Sequence, residues 1–373
     1  MNSFDDIEVQ RPDLAISYLK LLAAQPGRPI ALFAPRQVGK TFFLDHDLTP
    51  AAKKAGLLPV YADIWLHRSA PLEAINHALE EAMDDFTVPK GRIGRLARTQ
   101  VRKVGAMGAS LEVGKPPQRR PLPQEPALRL DAVVARLAAL SGRQVLLMLD
   151  EIQTLGEIAG GEKNIASLRA ILHKRRKEVA SVFTGSSQDS LAKLMASTGA
   201  PMYQFAQLLT FPPLGDEYLR QLIDHFARVH KGRKPELDDM RRLFEQSGFK
   251  PALMKDLVKA MSAEGIIDTD LALKHFMADE RQVIGWQALL GSFEPFDRRV
   301  LLMIAQGHPP MGRETLSLLK RRKEAQPTVA KVRASIERLK RTGVLAKSNA
   351  GGTVIEDRLL SNYLAGLRFE QLE

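Results

Sequence analysis

The chain has 373 residues, 45% of them hydrophobic and 26% charged, as in a soluble globular protein with room for two or three domains. It contains no cysteine, which excludes disulfides, zinc–thiolate sites and thiol catalysis and fits a reducing, cytoplasmic setting. The net charge of +11 is concentrated in two segments: residues 87–125 carry a net +7 and residues 297–347 a net +9, so the remainder is acidic. Such segments are either polyanion contacts or solvated basic faces.

The N-terminus, Met1-Asn2-Ser3-Phe4-Asp5-Asp6, is polar and acidic, unlike a signal peptide. No apolar stretch approaches the ~18–20 residues of a membrane span, so no membrane partner is expected. Pro12 to Ala24 reads as an opening helix with Leu14, Tyr18, Leu21 and Leu22 on one stripe. Pro29-Ile30-Ala31-Leu32-Phe33 is a buried strand, followed by Ala34-Pro35-Arg36-Gln37-Val38-Gly39-Lys40-Thr41 and then the helical start Phe42-Phe43-Leu44. Strand, tight loop and helix are the context of a phosphate-binding P-loop. Its backbone N–H groups would surround phosphates, aided by the helix N-terminus. Lys40 would reach the β- and γ-phosphates of ATP, and Thr41 would place its hydroxyl on Mg2+.

Leu58 to Asp63 is a second strand and Leu72 to Met83 a helix. The segment 87–125 interrupts the alternation with a basic helix, Arg92 to Lys103, and then a Gly- and Pro-rich loop or small hairpin. Ala127 to Leu140 is helical and capped by Gly142. Gln144 to Leu149 is an unbroken apolar strand ending in Asp150-Glu151. Carboxylates at that end lie where open α/β sheets bind ligands. Asp150 would hold Mg2+ through water, and Glu151 would orient or deprotonate an attacking water. A helix at Asn164–Glu178, a strand at Ala180–Thr184 ending in Gly185-Ser186-Ser187, a helix at Asp189–Ala196 and a last strand at Leu208–Phe211 complete an α/β unit with a parallel sheet covered by helices.

After Pro213 only helices are expected: Asp216–Val229, Glu236–Gln246, Pro251–Ala263 and Asp268–Asp279, read as a helical lid. From about Phe293, three short helices (Arg298–Gln306, Arg313–Arg322, Thr328–Arg341) precede Gly343–Lys347, a Ser348–Gly352 turn and Thr353-Val354-Ile355. Three helices and a hairpin are the ingredients of a winged helix-turn-helix. In Thr328–Arg341 the apolar Val329, Val332, Ile336 and Leu339 form one stripe. Lys331, Arg333 and Arg338 lie largely off it, the layout of a helix contacting the phosphates of duplex DNA. A protein-docking or autoinhibitory role for the same unit stands beside that reading.

Ala-Pro-Arg-Gln-Val-Gly-Lys-Thr, Leu-Asp-Glu-Ile-Gln and Thr-Gly-Ser-Ser together resemble the archaeal-type P-loop ATPases, a STAND branch near AAA+ proteins. Arg11, Pro201-Met202-Tyr203, Gly248-Phe249-Lys250-Pro251 and Ile355-Glu356-Asp357-Arg358-Leu359-Leu360 extend the resemblance over nearly the whole chain. It implies a P-loop NTPase domain at 1–213, with 87–125 inserted, a helical lid at 214–290 and a winged helix-turn-helix at 291–373. It implies ATP or ADP held by Arg11, Pro35, Arg36, Gln37, Val38, Gly39, Lys40, Thr41, Phe42 and Pro251. Thr41 and Asp150 would hold Mg2+, with Glu151, Lys40 and Ser186 as the catalytic set.

Two of these assignments have a plain alternative. Ser186 is either a polar sensor of the γ-phosphate or a helix N-cap. Pro251 either presses the lid on the nucleotide or opens a helix as its first residue. The chain departs from the pattern at Ala34, where the family has Gly, at Gln204-Phe205, where it often has Gly-Arg, and at Arg11-Pro12-Asp13, which matches the opening Asn-Arg-Glu in part. Two functions follow: a nucleotide-driven switch with ATP turnover, or a binding module in which ATP is a structural ligand.

Overall fold

The structure, a computed structural model, describes residues 3–87, 121–158, 160–185, 194–195, 202–321, 327–347, 352–368 and 371. The basic helix expected at 92–103, most of the 87–125 insertion, most of the helix expected at 189–196 and Ser186 lie outside the described residues.

Five strands form one parallel sheet: β1 (Ile30–Phe33), β2 (Leu58–Asp63), β3 (Val145–Asp150), β4 (Val179–Gly185) and β5 (Gln207–Thr210), in the order β2-β3-β4-β1-β5. The apolar run of β3 is explained by its place second from the edge. It is buried along its whole length, with Val145, Leu147 and Leu149 in one apolar cluster and Leu146 and Met148 in the other. The register aligns the strand C-termini, pairing Phe33 with Gly185 and Thr210, and Asp63 with Asp150. Every loop that follows a strand therefore opens on one edge of the sheet.

Helices cover both faces. α1 (Pro12–Ala24) and the stretch after the P-loop lie on one side. That stretch comprises α2 (Lys40–Phe43), a wider π-type turn at Leu44–Leu48 and α3 (Thr49–Lys54). α4 (Pro71–Thr87), α5 (Pro126–Ser141), α6 (Thr154–Glu157) and α7 (Gly161–Lys174) follow along the chain, with residues of all four in the cluster on the other face. Gly142 closes α5 in the left-handed conformation, as its sequence position implies.

Beyond Phe211 the chain is helical: α8 (Asp216–Val229), α9 (Leu237–Gln246), α10 (Pro251–Glu264), α11 (Thr269–Ala278) and α12 (Glu280–Gly291). α12 was not among the expected helices. α13 (Pro295–Ala305), α14 (Arg313–Arg321) and α15 (Val329–Arg341) then precede an antiparallel pair, β6 (Leu345–Lys347) and β7 (Thr353–Ile355), and α16 (Arg358–Ala365). This is the element order expected of a winged helix.

One continuous apolar cluster runs from α8 through to α16. Among the described residues the cluster includes side chains on both sides of residue 290. Phe4, Ile7 and Val9 join the same cluster, and Phe4 packs 4.1 Å from the His225 ring. The first residues of the chain are thus built into the helical half and not into the sheet half.

Candidate functional site

The site sits at the C-terminal ends of β1, β3 and β4. After β1 the chain turns back to start α2, which requires left-handed backbone. Gly39 supplies it with φ 92°, at no steric cost. Gln37 also adopts it, φ 65°, and for a residue with a Cβ this costs about 1 kcal/mol. Ala34 stays outside the left-handed region, so the methyl that replaces the usual Gly is accommodated without strain. Its side chain is buried against the sheet.

Lys40 is 7% exposed and folds back over the loop, donating from Nζ to the carbonyls of Ala34 and Pro35, each at 2.7 Å. Burial lowers its pKa. The carboxylates of Glu151, Asp150 and Glu356 push it back up. A buried ammonium facing three carboxylates remains a strong ligand for an anion that replaces them.

Asp150, 6% exposed, is the centre of a converging network. Thr41 donates its hydroxyl to Oδ2 at 2.9 Å, and the Tyr61 hydroxyl from β2 donates to the same oxygen at 3.0 Å. Thr184, fully buried in β4, donates to Oδ1, which also takes the Glu151 N–H at 3.1 Å. Burial and the Asp150 charge both push the Tyr61 pKa upward, so this hydroxyl stays a donor. Glu151 stands at φ 56°, a second non-glycine residue in the left-handed region, and accepts a hydrogen bond from the Gln153 side chain. Strain of this kind persists where the surroundings fix it, and both cases flank one cleft.

The arrangement suits a phosphate group with a hard cation. The loop offers backbone N–H groups, a helix start and an ammonium. Thr41 and Asp150 offer oxygens within hydrogen-bond distance of each other, the donor set Mg2+ takes while keeping waters and phosphate oxygens. Among the described residues no group of three or more His, Cys, Asp or Glu is placed to hold a metal ion.

The other expected residues divide. Pro35, Arg36, Gln37 and Val38 form the loop, and Val38 is buried as its anchor. Phe42 points along α2 and stacks on His46 with ring centroids 4.1 Å apart. Arg11 is engaged elsewhere: its backbone N–H donates to Asp47 at 2.6 Å, its Nη1 to the Pro212 carbonyl at 2.8 Å, and its guanidinium lies 4.2 Å from the Phe211 ring centre. Pro251 is the first residue of α10, and its carbonyl accepts the Tyr218 hydroxyl at 2.7 Å. Its neighbour Lys250 reaches Asp357 at 3.3 Å. Phe205, where related loops often carry Arg, is buried against the sheet cluster.

Tyr61, Thr184 and Glu356 belong to the site and were not read from the sequence. Tyr61 and Thr184 are hydroxyl residues near the ends of parallel strands, and Thr184 also opens the Thr-Gly-Ser-Ser motif, but neither was given a role. The Arg36 N–H donates to Glu356 Oε1 at 3.2 Å, a contact across 320 residues with no local signature.

The sheet order and the loop after β1 give the parallel α/β fold of P-loop proteins of the AAA+ kind. Solved structures agree. A Walker-type ATPase of Pyrococcus abyssi matches over 97% of this chain and 97% of its own, at 14% identity and a TM-score of 0.60. The ORC2 protein of Aeropyrum pernix, solved in ADPNP–ADP complexes, matches over 96% of this chain and 92% of its own, at 14% identity and a TM-score of 0.50. No protein-family model and no curated protein matches the sequence.

Proposed function

We propose that this protein binds ATP and ADP with Mg2+, hydrolyses ATP slowly, and uses the bound nucleotide as a switch on its helical half. The observation that carries this reading is the junction of Lys40, Thr41 and Asp150 at the aligned ends of β1 and β3. Residues 35–42 would hold the phosphates, with Lys40 leaving its loop carbonyls to do so. Thr41 and Asp150 would hold Mg2+, which supplies charge neutralisation at the phosphates. Glu151, aimed by its left-handed backbone, would orient the attacking water and take its proton. Ser186, just beyond β4, keeps its assignment as a polar sensor in this reading. So do Arg11 and Pro251 as parts of the nucleotide pocket. Domain limits of 1–213, 214–290 and 291–373 serve as the working division.

The C-terminal unit is proposed to act as a winged helix that meets duplex DNA or a protein partner, in the cytoplasm. Lys331 and Arg333 are exposed on α15 and suit phosphate contacts. Arg338 is bound to Asp297 in a bidentate pair, at 2.6 and 3.0 Å, and serves the packing of α15 on α13. No described helix is long and apolar enough to cross a membrane.

A second reading, ATP as a structural ligand without turnover, draws support from Phe205 at the position where an Arg would assist hydrolysis. Glu151→Gln separates the two. Under the first reading it keeps ATP binding and lowers phosphate release by about a hundredfold or more. Equal loss of binding and release would make Glu151 structural. No release from the parent protein, with or without duplex DNA, would establish the second reading.

A further inference from the structure

We propose that Glu356 is an internal ligand of the phosphate-binding loop, tying the C-terminal unit to that loop in competition with nucleotide phosphates. This rests on the P-loop reading above and adds to it the group with which the phosphates compete.

Glu356 follows β7 and is half-buried. Its carboxylate accepts the Arg36 N–H, one of the loop amides that would face a phosphate. A backbone amide has a single hydrogen to donate, so carboxylate and phosphate cannot both have it. Lys40 lies near enough to raise its own pKa through Glu356. Burial pushes the Glu356 carboxyl up, and Arg36, Lys250 and Lys40 hold it partly back. An incoming phosphate would meet that carboxylate as a like charge.

The contact is not an isolated side chain resting on the loop. The Glu356 N–H donates to the Val344 carbonyl at 2.9 Å, which fixes its backbone beside the hairpin. Asp357 caps α16 through the N–H groups of Leu359 and Leu360, at 2.9 and 3.1 Å, and accepts from Lys250 of the lid. Arg358 donates to the Glu245 carbonyl at 2.9 Å. Gly343, at φ 77°, faces the Arg36 guanidinium, where an added Cβ would sit 3.7 Å from it. Three consecutive residues thus join the loop, the start of α10 and the end of α9. The two motifs Gly248–Pro251 and Ile355–Leu360 meet at this point.

The test compares the parent with Glu356→Ala and Glu356→Gln. Ala removes the acceptor, while Gln keeps an oxygen for the Arg36 N–H and removes the charge. Amide hydrogen exchange of the loop peptide around residue 36 is measured without nucleotide, and ATP and ADP affinities by calorimetry. The Ala variant should exchange faster at the loop and bind ATP about tenfold more tightly, because a competing charge-assisted contact is gone. The Gln variant should lie between it and the parent. Unchanged exchange and affinity in the Ala variant would overturn the proposal. Faster exchange with no ATP binding by the parent or either variant would sink the nucleotide reading and leave the Glu356 contact standing. Faster exchange with unchanged affinity would show that the contact does not compete with nucleotide.

Discussion

The loop after β1 and helix α15 both gather cations, and they deploy them in opposite ways. In the loop a single ammonium, Lys40, is buried beside carboxylates and among backbone N–H groups on a strained turn. On α15, Lys331, Arg333 and Arg341 stand in solvent, while Arg338 is tied to the buried Asp297. The first region is a built cradle, in which position does the selecting. The second is a charged surface, whose attraction is general and screened by salt. Net charge identified the second region, but geometry distinguishes them: one charge in a fixed cradle is a stronger sign of a specific ligand than many charges on a helix face.

The sharpest test of the cradle is Lys40→Ala. It should weaken ATP binding by about a hundredfold, since a buried charge-assisted contact is lost. Parent-like affinity by calorimetry would break the comparison at its stronger end. Next in size is Arg338→Ala, which leaves Asp297 buried without its partner. Half of Arg338 faces solvent, so the loss should be about 2 kcal/mol in urea unfolding and not the full cost of a broken buried pair. An unchanged midpoint would show that the Arg338–Asp297 pair does not contribute to stability.

The charged face itself is tested by Lys331→Ala with Arg333→Ala. Duplex DNA affinity at ~50 mM salt should fall about tenfold, and the slope of log K against log salt should become shallower by about 2. If the parent shows no DNA binding by fluorescence anisotropy, a protein partner takes the place of DNA. The smallest effect is expected at Ser335, fully buried on the inner side of α15 with no hydrogen-bond partner for its hydroxyl among the described residues. Ser335→Ala should change stability by less than about 1 kcal/mol, in the stabilising direction. A clear loss would show that the hydroxyl has a partner.

The sheet and the P-loop were legible because local patterns carry them: unbroken apolar runs, a Gly-Lys-Thr turn and a charged strand end. All five strands and the helices at Pro12–Ala24 and Asp216–Val229 follow directly from such patterns. Helix α12 was missed because its pattern is weak. Only Trp286 and Leu290 are buried, Ile284 and Leu289 are exposed, and Gly285 interrupts it. Two partners of Asp150 were illegible for another reason. Tyr61 and Thr184 lie 89 and 34 residues away, and only the strand order brings them to one carboxylate. Glu356 is the extreme case, since its role depends on how two halves of the chain meet.

Arg11 and the path of the chain around it have a mechanical consequence. Residues 4–9 are seated in the helical half, the chain then enters the sheet half at Arg11, and it leaves again after Phe211. Arg11 joins the two crossings through its bond to the Pro212 carbonyl and its stacking on Phe211. Two chain crossings tied side by side restrict the relative movement of the halves more than a single linker would. The Arg36–Glu356 contact is a further link between the same two halves.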